Sequence, residues 1–350
     1  MVNLVRGLRL SVLVTGLLLL TACSVFSTPS SKSSAAKPST ASASPPPPGL
    51  WVSDLHTNTV TDFEAAPAAQ PRITITAGVV DPDALAFDAD GNLWVAEGAS
   101  AARPPRIVEY RGGFVAHNAE PVAQITQLRG VIDPEGLAFD SRGNLWVAGG
   151  TAVEEFPAAG LTSNPQPTRI WADETRGLPL DGPDALAFDP HGNLWVSSYD
   201  NRVLLEFAAA SLTESLPAPR HVLQLPSGVS PLDIAFDPNG NLWVACTNDS
   251  IYEFGAASLG RTTTPHAIVN LSRLISGGVP GIAFDQTGNL FASAVGSGPS
   301  GAPEGVVYEF FASTLGTTDV PSATLVASPS QNPGTWALAL YPVPKGTGLP

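Results

Sequence analysis

The sequence predicts an all-β protein: a six-bladed β-propeller with four-stranded blades, its ring closed by N- and C-terminal strands that share one blade. Three observations predict it. The phrase A-F-D-x-x-G-N-L-W-V stands at residues 86–95 and returns at 138–147, 187–196 and 235–244, with an altered fifth copy at 283–292. Its aromatic residue recurs as Trp94, Trp146, Trp195, Trp243 and Phe291, in steps of 52, 49, 48 and 48 residues. Part-copies of the same unit stand at the two ends of the repeat region. Repeats of this length, each with several short strands, stack into a ring instead of forming one conventional core.

Each copy predicts a hairpin. In Asp189-Pro190-His191-Gly192 and Asp237-Pro238-Asn239-Gly240, Asp, Pro and Gly fill the first, second and fourth places of a type I turn. The Asp carboxylate bonds the backbone ahead of it, Pro presets φ, and Gly accepts positive φ. The strand before the turn, 185–188, alternates small with large, which suits the crowded centre of a ring. The strand after it, 193–196, is apolar on both faces, as in a sheet sandwiched between two others. The tryptophan of each copy is expected to pack blade against blade. Third strands follow at 59–63, 106–110, 152–156, 203–207, 251–254 and 306–310. Fourth strands follow at 72–76, 122–125, 168–171, 221–225, 266–269 and 323–326. Four strands per repeat make a propeller blade.

The count closes at six. Leu50-Trp51-Val52 matches Leu93-Trp94-Val95 but has no first strand ahead of it. Residues 336–342 match 184–190 but have no second strand after them. Joined, they make one blade whose innermost strand is C-terminal, and the closure pairs edges otherwise exposed.

The repeat resembles NHL-type repeats, whose units carry a P-x-G-I-A-x-D-x-x-G-N-L-W-V-A-D…N-x-R-V-x-x-F sentence. Residues 279–290 (V-P-G-I-A-F-D-Q-T-G-N-L) and 199–207 (Y-D-N-R-V-L-L-E-F) carry it most closely. The resemblance spans about residues 49–342 and implies the fold; function resides in sites grafted onto such a fold. The chain is more loosely similar to two groups of propeller enzymes, the gluconolactonase/senescence-marker family and the streptogramin lyases. The first pattern expects a Glu where this chain begins its first blade, and Pro48-Gly49-Leu50-Trp51 has none. The second expects W-F-T-E units and a late His/Glu pair; here the unit is W-V-A/S, and His266 falls in an outer strand.

The front of the chain differs from the rest. Arg6 and Arg9 flank the start of an apolar run at 10–20, which ends in Leu20-Thr21-Ala22-Cys23. Residues 1–22 are expected to be a secretory signal peptide, too short to span a bilayer. The L-T-A-C ending resembles a bacterial lipobox, which implies diacylglyceryl transfer to Cys23, cleavage before it, and firm anchoring by several acyl chains such as palmitate. Residues 23–48 comprise that Cys and a Ser/Ala/Pro-rich tether ending in four prolines, with nothing to build a core. Residues 49–350 are the propeller. The expected location is the bacterial envelope, lipid-anchored and extracytoplasmic, in the periplasm or on the cell surface.

The formal net charge is −14, and removal of residues 1–22 takes away two arginines and no acid. That balance, with export, argues against a nucleic-acid partner. Cys23 and Cys246 are the only cysteines, so no disulfide framework is available, and Cys246 is expected to be a small buried apolar residue.

Ligands of propellers are expected at a mouth of the central channel, among the loops that lead into the innermost strands and out of the second strands. Asp83, Glu135 and Asp184 share one register there; Asp233 stands one place later, and Pro280 and Trp336 take the remaining two positions. Asp54 and Glu97 share a second register with Gly149, Ser198, Cys246 and Ala294. The mouth is therefore expected to be acidic on one side and apolar on the other. Carboxylates that converge can hold Ca²⁺ or Mg²⁺, so Asp83, Glu135, Asp184, Asp54 and Glu97 are candidate metal ligands. Equally, each can cap a strand end or a loop. Of the five histidines only His56 lies in a loop on this face. No Ser-His-Asp set, nucleophile elbow, P-loop or zinc spacing is present. The expected function is binding, without catalysis, of a protein, glycan or small ligand at the mouth. The alternatives are a divalent-metal-dependent lactonase- or esterase-like hydrolase and a structural scaffold in an envelope complex.

Overall fold

The computed structural model describes residues 49–63, 71–100, 103–112, 119–172, 180–215, 217–261, 265–275, 277–297, 303–317, 320–328 and 334–341. The expected signal peptide, Cys23 and the tether lie outside the described residues. No described helix is long and apolar enough to cross a membrane.

The strands form six four-stranded antiparallel sheets. Blade I holds β1 (Gly49–Asp54), β2 (Thr59–Phe63), β3 (Pro71–Ile75) and, as its innermost strand, β24 (Thr335–Tyr341). Blade II holds β4 (Pro82–Phe87), β5 (Leu93–Glu97), β6 (Arg106–Tyr110) and β7 (Ala123–Ile125). Blade III holds β8 (Gly136–Phe139), β9 (Leu145–Gly149), β10 (Ala152–Phe156) and β11 (Arg169–Ala172). Blade IV holds β12 (Pro183–Phe188), β13 (Leu194–Ser198), β14 (Val203–Phe207) and β15 (His221–Gln224). Blade V holds β16 (Pro231–Phe236), β17 (Leu242–Cys246), β18 (Ser250–Phe254) and β19 (His266–Asn270). Blade VI holds β20 (Gly281–Phe284), β21 (Leu290–Ser297), β22 (Pro303–Phe310) and β23 (Ala323–Ser328). The ring closes as the sequence predicts: β24 lies against β1, with Leu340 opposite Leu50 and Thr335 opposite Asp54.

The repeated phrase makes a clasp at each hairpin. Asp237 Oδ1 accepts the N–H groups of Asn239 and Asn241, at 2.8 and 2.9 Å. Its Oδ2 accepts Asn241 Nδ2 and Trp243 Nε1, at 2.8 and 3.1 Å. Asn241 Oδ1 then accepts the N–H of Ala256, beyond the end of β18. One carboxylate and one amide thus tie the turn, the second strand and the exit of the third. Asp88, Asp140, Asp189 and Asp285 hold the corresponding Asn in the same way. The closing glycines take φ between 78° and 87°, which favours a residue without a Cβ.

The clasp explains the choice of tryptophan. In Trp94, Trp146 and Trp243 the indole N–H donates to the clasp Asp of its own hairpin, while each seam ring packs on the phenylalanine that ends the next blade's inner strand. The pairs Trp51–Phe87, Trp94–Phe139, Trp146–Phe188, Trp195–Phe236 and Trp243–Phe284 have centroids 5.3–6.4 Å apart. Blade-to-blade packing is thereby aromatic on nearly every seam. Blade I has no turn of this kind, because its two inner strands come from opposite ends of the repeat region. Tyr341 stands at the clasp Asp position and packs on Phe87, 5.2 Å away.

A second periodic carboxylate lies on the third strands, opposite each Trp: Asp62, Glu109, Glu155, Glu206 and Glu253, with Glu309 opposite Phe291. In three blades the outer strand or the residue beside it supplies a basic partner, Arg220 standing beside His221 at 3.6 Å from Glu206. Arg72 makes a two-pronged pair with Asp62, at 2.9 and 3.1 Å. Arg169 pairs with Glu155, and His221 with Glu206. In blades II and VI alanine stands opposite instead, Ala123 facing Glu109 and Ala323 facing Glu309. Burial of Glu109, reinforced by Asp88 and partly opposed by Arg111, pushes its carboxyl up to about 6. Glu309 is also raised, by burial and by Asp285.

Candidate functional site at the channel mouth

The six innermost strands line the channel with three apolar tiers. Leu85, Leu137, Leu186, Ile234, Ile282 and Leu338 form one, alanines the next, and Phe87, Phe139, Phe188, Phe236, Phe284 and Leu340 the third. The cavity is about 170 Å³. Ligand pockets for drug-sized molecules run to about 300–1,000 Å³, so a ligand of that size has to lie on the mouth, not in the bore. Two faces bound the channel. One carries the hairpin clasps. The other, the mouth, carries the starts of the inner strands and the ends of the second strands.

Of the five candidate ligands, two are drawn into the fold. Asp54 Oδ1 accepts the N–H groups of His56 and Thr57, at 2.9 and 2.8 Å, and its Oδ2 accepts Gly334 N at 3.3 Å. It therefore caps its own loop and pins the C-terminal strand where the ring closes. Glu97 is fully buried, 2.7 Å from Arg106 and 2.9 Å from Arg103. Its other oxygen accepts Val80 N at 3.0 Å. Burial raises its carboxyl pKa, against the pull of Arg106 and Arg103.

The other three stand around the mouth. Asp83 and Asp184 are buried, and Glu135 is half-buried. Asp83 is joined by two acids that the register comparison missed. Asp81 Oδ2, Asp83 Oδ2 and Asp133 Oδ1 lie 2.6, 2.8 and 3.2 Å from the point a Cβ on Gly98 would occupy. A Cβ there would force these carboxylates to shift. The signal was present in the sequence as Asp81-Pro82-Asp83 and Asp133-Pro134-Glu135, one motif in successive blades. Beside this trio, Ile132 is 66% exposed. Among the described residues, no group of three or more His, Cys, Asp or Glu side chains is arranged to hold a metal ion.

The one-place offset of Asp233 has a structural consequence. Its Oδ1 accepts its neighbour Ile234 N at 2.8 Å, and its Oδ2 accepts Ile282 N of blade VI at 2.7 Å. It is a bridge between inner strands. Its residue surface is half-buried but both oxygens are turned to backbone N–H groups. Burial, with a smaller contribution from Asp184, pushes its carboxyl up to about 7, against those two hydrogen bonds. Trp336 is half-buried at the rim. His56 is exposed. Cys246 is fully buried, its thiol directed at Val244 O and its pKa raised by burial, which suits an inert apolar residue.

No protein-family model matches the chain, and no curated protein matches it. Solved structures do. A crystal structure of a protein of unknown function from Bacteroides caccae superposes with a TM-score of 0.56 at 13% identity, over 84% of this chain and 98% of that one. A streptogramin B lyase structure superposes with a TM-score of 0.49 at 13% identity, over 75% of this chain and 79% of that one. The likeness to the Bacteroides caccae protein, at this identity, speaks for the fold alone.

Proposed function

We propose that this protein is an NHL-like propeller of the bacterial envelope, anchored through lipid on Cys23, that binds a ligand bearing positive charge at the channel mouth without transforming it. The ligand is a protein, glycan or small molecule. One observation carries the reading: Asp81, Asp83 and Asp133 converge around Gly98 on the face away from the hairpin clasps. Glu135 and Asp184 continue the acidic side of that face, and Ile132 adds an apolar contact beside it. Carboxylates on a concave, partly dry surface attract cations more strongly than the same groups in open water.

The metal-dependent hydrolase is the second reading, since the same oxygens suit Ca²⁺ or Mg²⁺. It is the weaker one because Asp54 and Glu97, two of its five ligands, are already engaged by backbone N–H groups and arginines. Calorimetric titration of the propeller with oligolysine, with CaCl₂ and with MgCl₂ tests both. Oligolysine binding without divalent binding or lactone turnover supports the binding module. Divalent binding coupled to lactone hydrolysis replaces it with the hydrolase. No heat from any of the three overturns the acidic mouth as a site.

A further inference from the structure

Below the acidic mouth the bore changes character within two residues. Asp83, Glu135 and Asp184 each stand two places ahead of a member of the Leu/Ile tier, namely Leu85, Leu137 and Leu186. Two places farther comes the phenylalanine tier, next to the clasps, about 7 Å along each strand. Every residue that lines the bore is Leu, Ile, Ala or Phe. The larger side chains of the two outer tiers are buried, whereas Ala86, Ala138, Ala187, Ala235 and Ala283 between them are half-buried and leave the bore its width. Its 170 Å³ compares with the apolar cavities of about 150 Å³ that take up benzene or xenon. A saturated chain of about six carbons, with bonds near 1.5 Å, matches its depth.

We propose that the bore is the second half of the ligand site: the mouth acids hold an ammonium head, and the bore takes the short apolar chain attached to it. The ligand class is a primary alkylammonium ion. This inference rests on the acidic mouth of the proposed function and names the substrate class of that site. The order of the residues carries it. On three successive inner strands the chain passes from carboxylate to Leu, Ala and Phe, so charge and apolar surface lie in the sequence that a cationic amphiphile presents along its length. A larger head or a bulky tail is excluded from the bore by its volume and stays on the mouth. A methylene moved from water to a fully apolar site tightens binding about fourfold. The gain here is smaller, because each inner strand is paired on one side only, and its peptide groups interleave with the alanine methyls along the bore.

The test titrates the full chain in the calorimeter with methylammonium, hexylammonium, 1-hexanol and oligolysine. The expected result is hexylammonium bound at least tenfold more tightly than methylammonium and at least tenfold more tightly than 1-hexanol. Ala187→Leu narrows the bore from blade IV and leaves the charges of the mouth unchanged. Folded by circular dichroism, it should lose the gain from the chain and keep oligolysine binding. Should that variant fail to fold, the series on the wild type decides alone. No gain from the chain while oligolysine still binds overturns the bore and leaves the acidic mouth standing. 1-Hexanol bound as tightly as hexylammonium overturns the pairing of head and bore. Binding of neither oligolysine nor either ammonium ion overturns the mouth and the bore together.

Discussion

The two faces of the ring use the same residue type in opposite ways. On the clasp face Asp88, Asp140, Asp189, Asp237 and Asp285 all do one thing: each accepts the N–H groups of its turn and the side-chain amide four residues on. On the mouth face the acids do not repeat one arrangement. Asp54 pins the ring closure, Glu97 holds two arginines, Asp233 bridges two blades, and Asp83 meets Asp81 and Asp133 beside Gly98. Repetition around a propeller marks what every blade needs in order to fold. Departure from repetition marks what only one place in the ring has to do.

Three changes sharpen or break that contrast. The largest effect is expected from deleting residues 334–350, which removes β24, strips the inner strand from blade I and opens two edges. The cooperative thermal transition should disappear in calorimetry; an unchanged melting temperature would refute the six-blade closure. Next comes the clasp itself. Asp237→Ala leaves two turn N–H groups, an amide and the Trp243 indole without their acceptor, a loss of about 2–3 kcal/mol in chemical denaturation. Asp189→Ala should cost about 1 kcal/mol less, because Trp195 Nε1 finds no acceptor among the described residues even in the wild type. Equal losses would mean that the indole bond contributes nothing.

A smaller effect separates the blades that have a cation opposite the third-strand carboxylate from those that do not. Glu109 has a folded-state pKa near 6, above its ordinary 4.5. Above pH 6 it is ionised in both states and its burial destabilises the fold by about 2 kcal/mol. As pH falls through 6 the folded state takes up the proton first, and the penalty is gone once pH falls below the unfolded pKa. Glu109→Gln should therefore stabilise the protein at pH 8 and have little effect at pH 4, read as the difference in denaturation midpoints. Ala123→Arg should supply the missing cation at pH 8 and raise stability by less than 1 kcal/mol. A pH-independent gain from Glu109→Gln would remove the account of its raised pKa.

What the sequence made legible follows the same division. The repeats predicted the hairpins, the positive-φ glycines, the Trp seam packing and the shared blade, because each depends on a pattern written several times. The bonds inside the phrase were also present in it: Asp, Asn and Trp keep the spacing i, i+4, i+6, but one carboxylate meeting both partners appears only once the turn is folded. The mouth was legible only as a register. Asp54 and Glu97 occupy equivalent positions and both accept backbone N–H groups, yet only Glu97 also meets two arginines, supplied by the longer loop and strand that follow it. Asp81 and Asp133 also share a register, two places ahead of Asp83 and Glu135, but nothing in the sequence shows that carboxylates from two blades meet beside Gly98.

The measurement that bears most directly on this division is oligolysine affinity in matched variants that remain folded by circular dichroism. Asp83→Asn, Glu135→Gln and Asp184→Asn combined should weaken binding at least tenfold, about 1.4 kcal/mol, whereas Asp237→Ala should bind as the wild type does. Undiminished binding in the triple variant, or loss of binding in a folded Asp237→Ala protein, would contradict the assignment of the mouth to the ligand and the clasps to the fold.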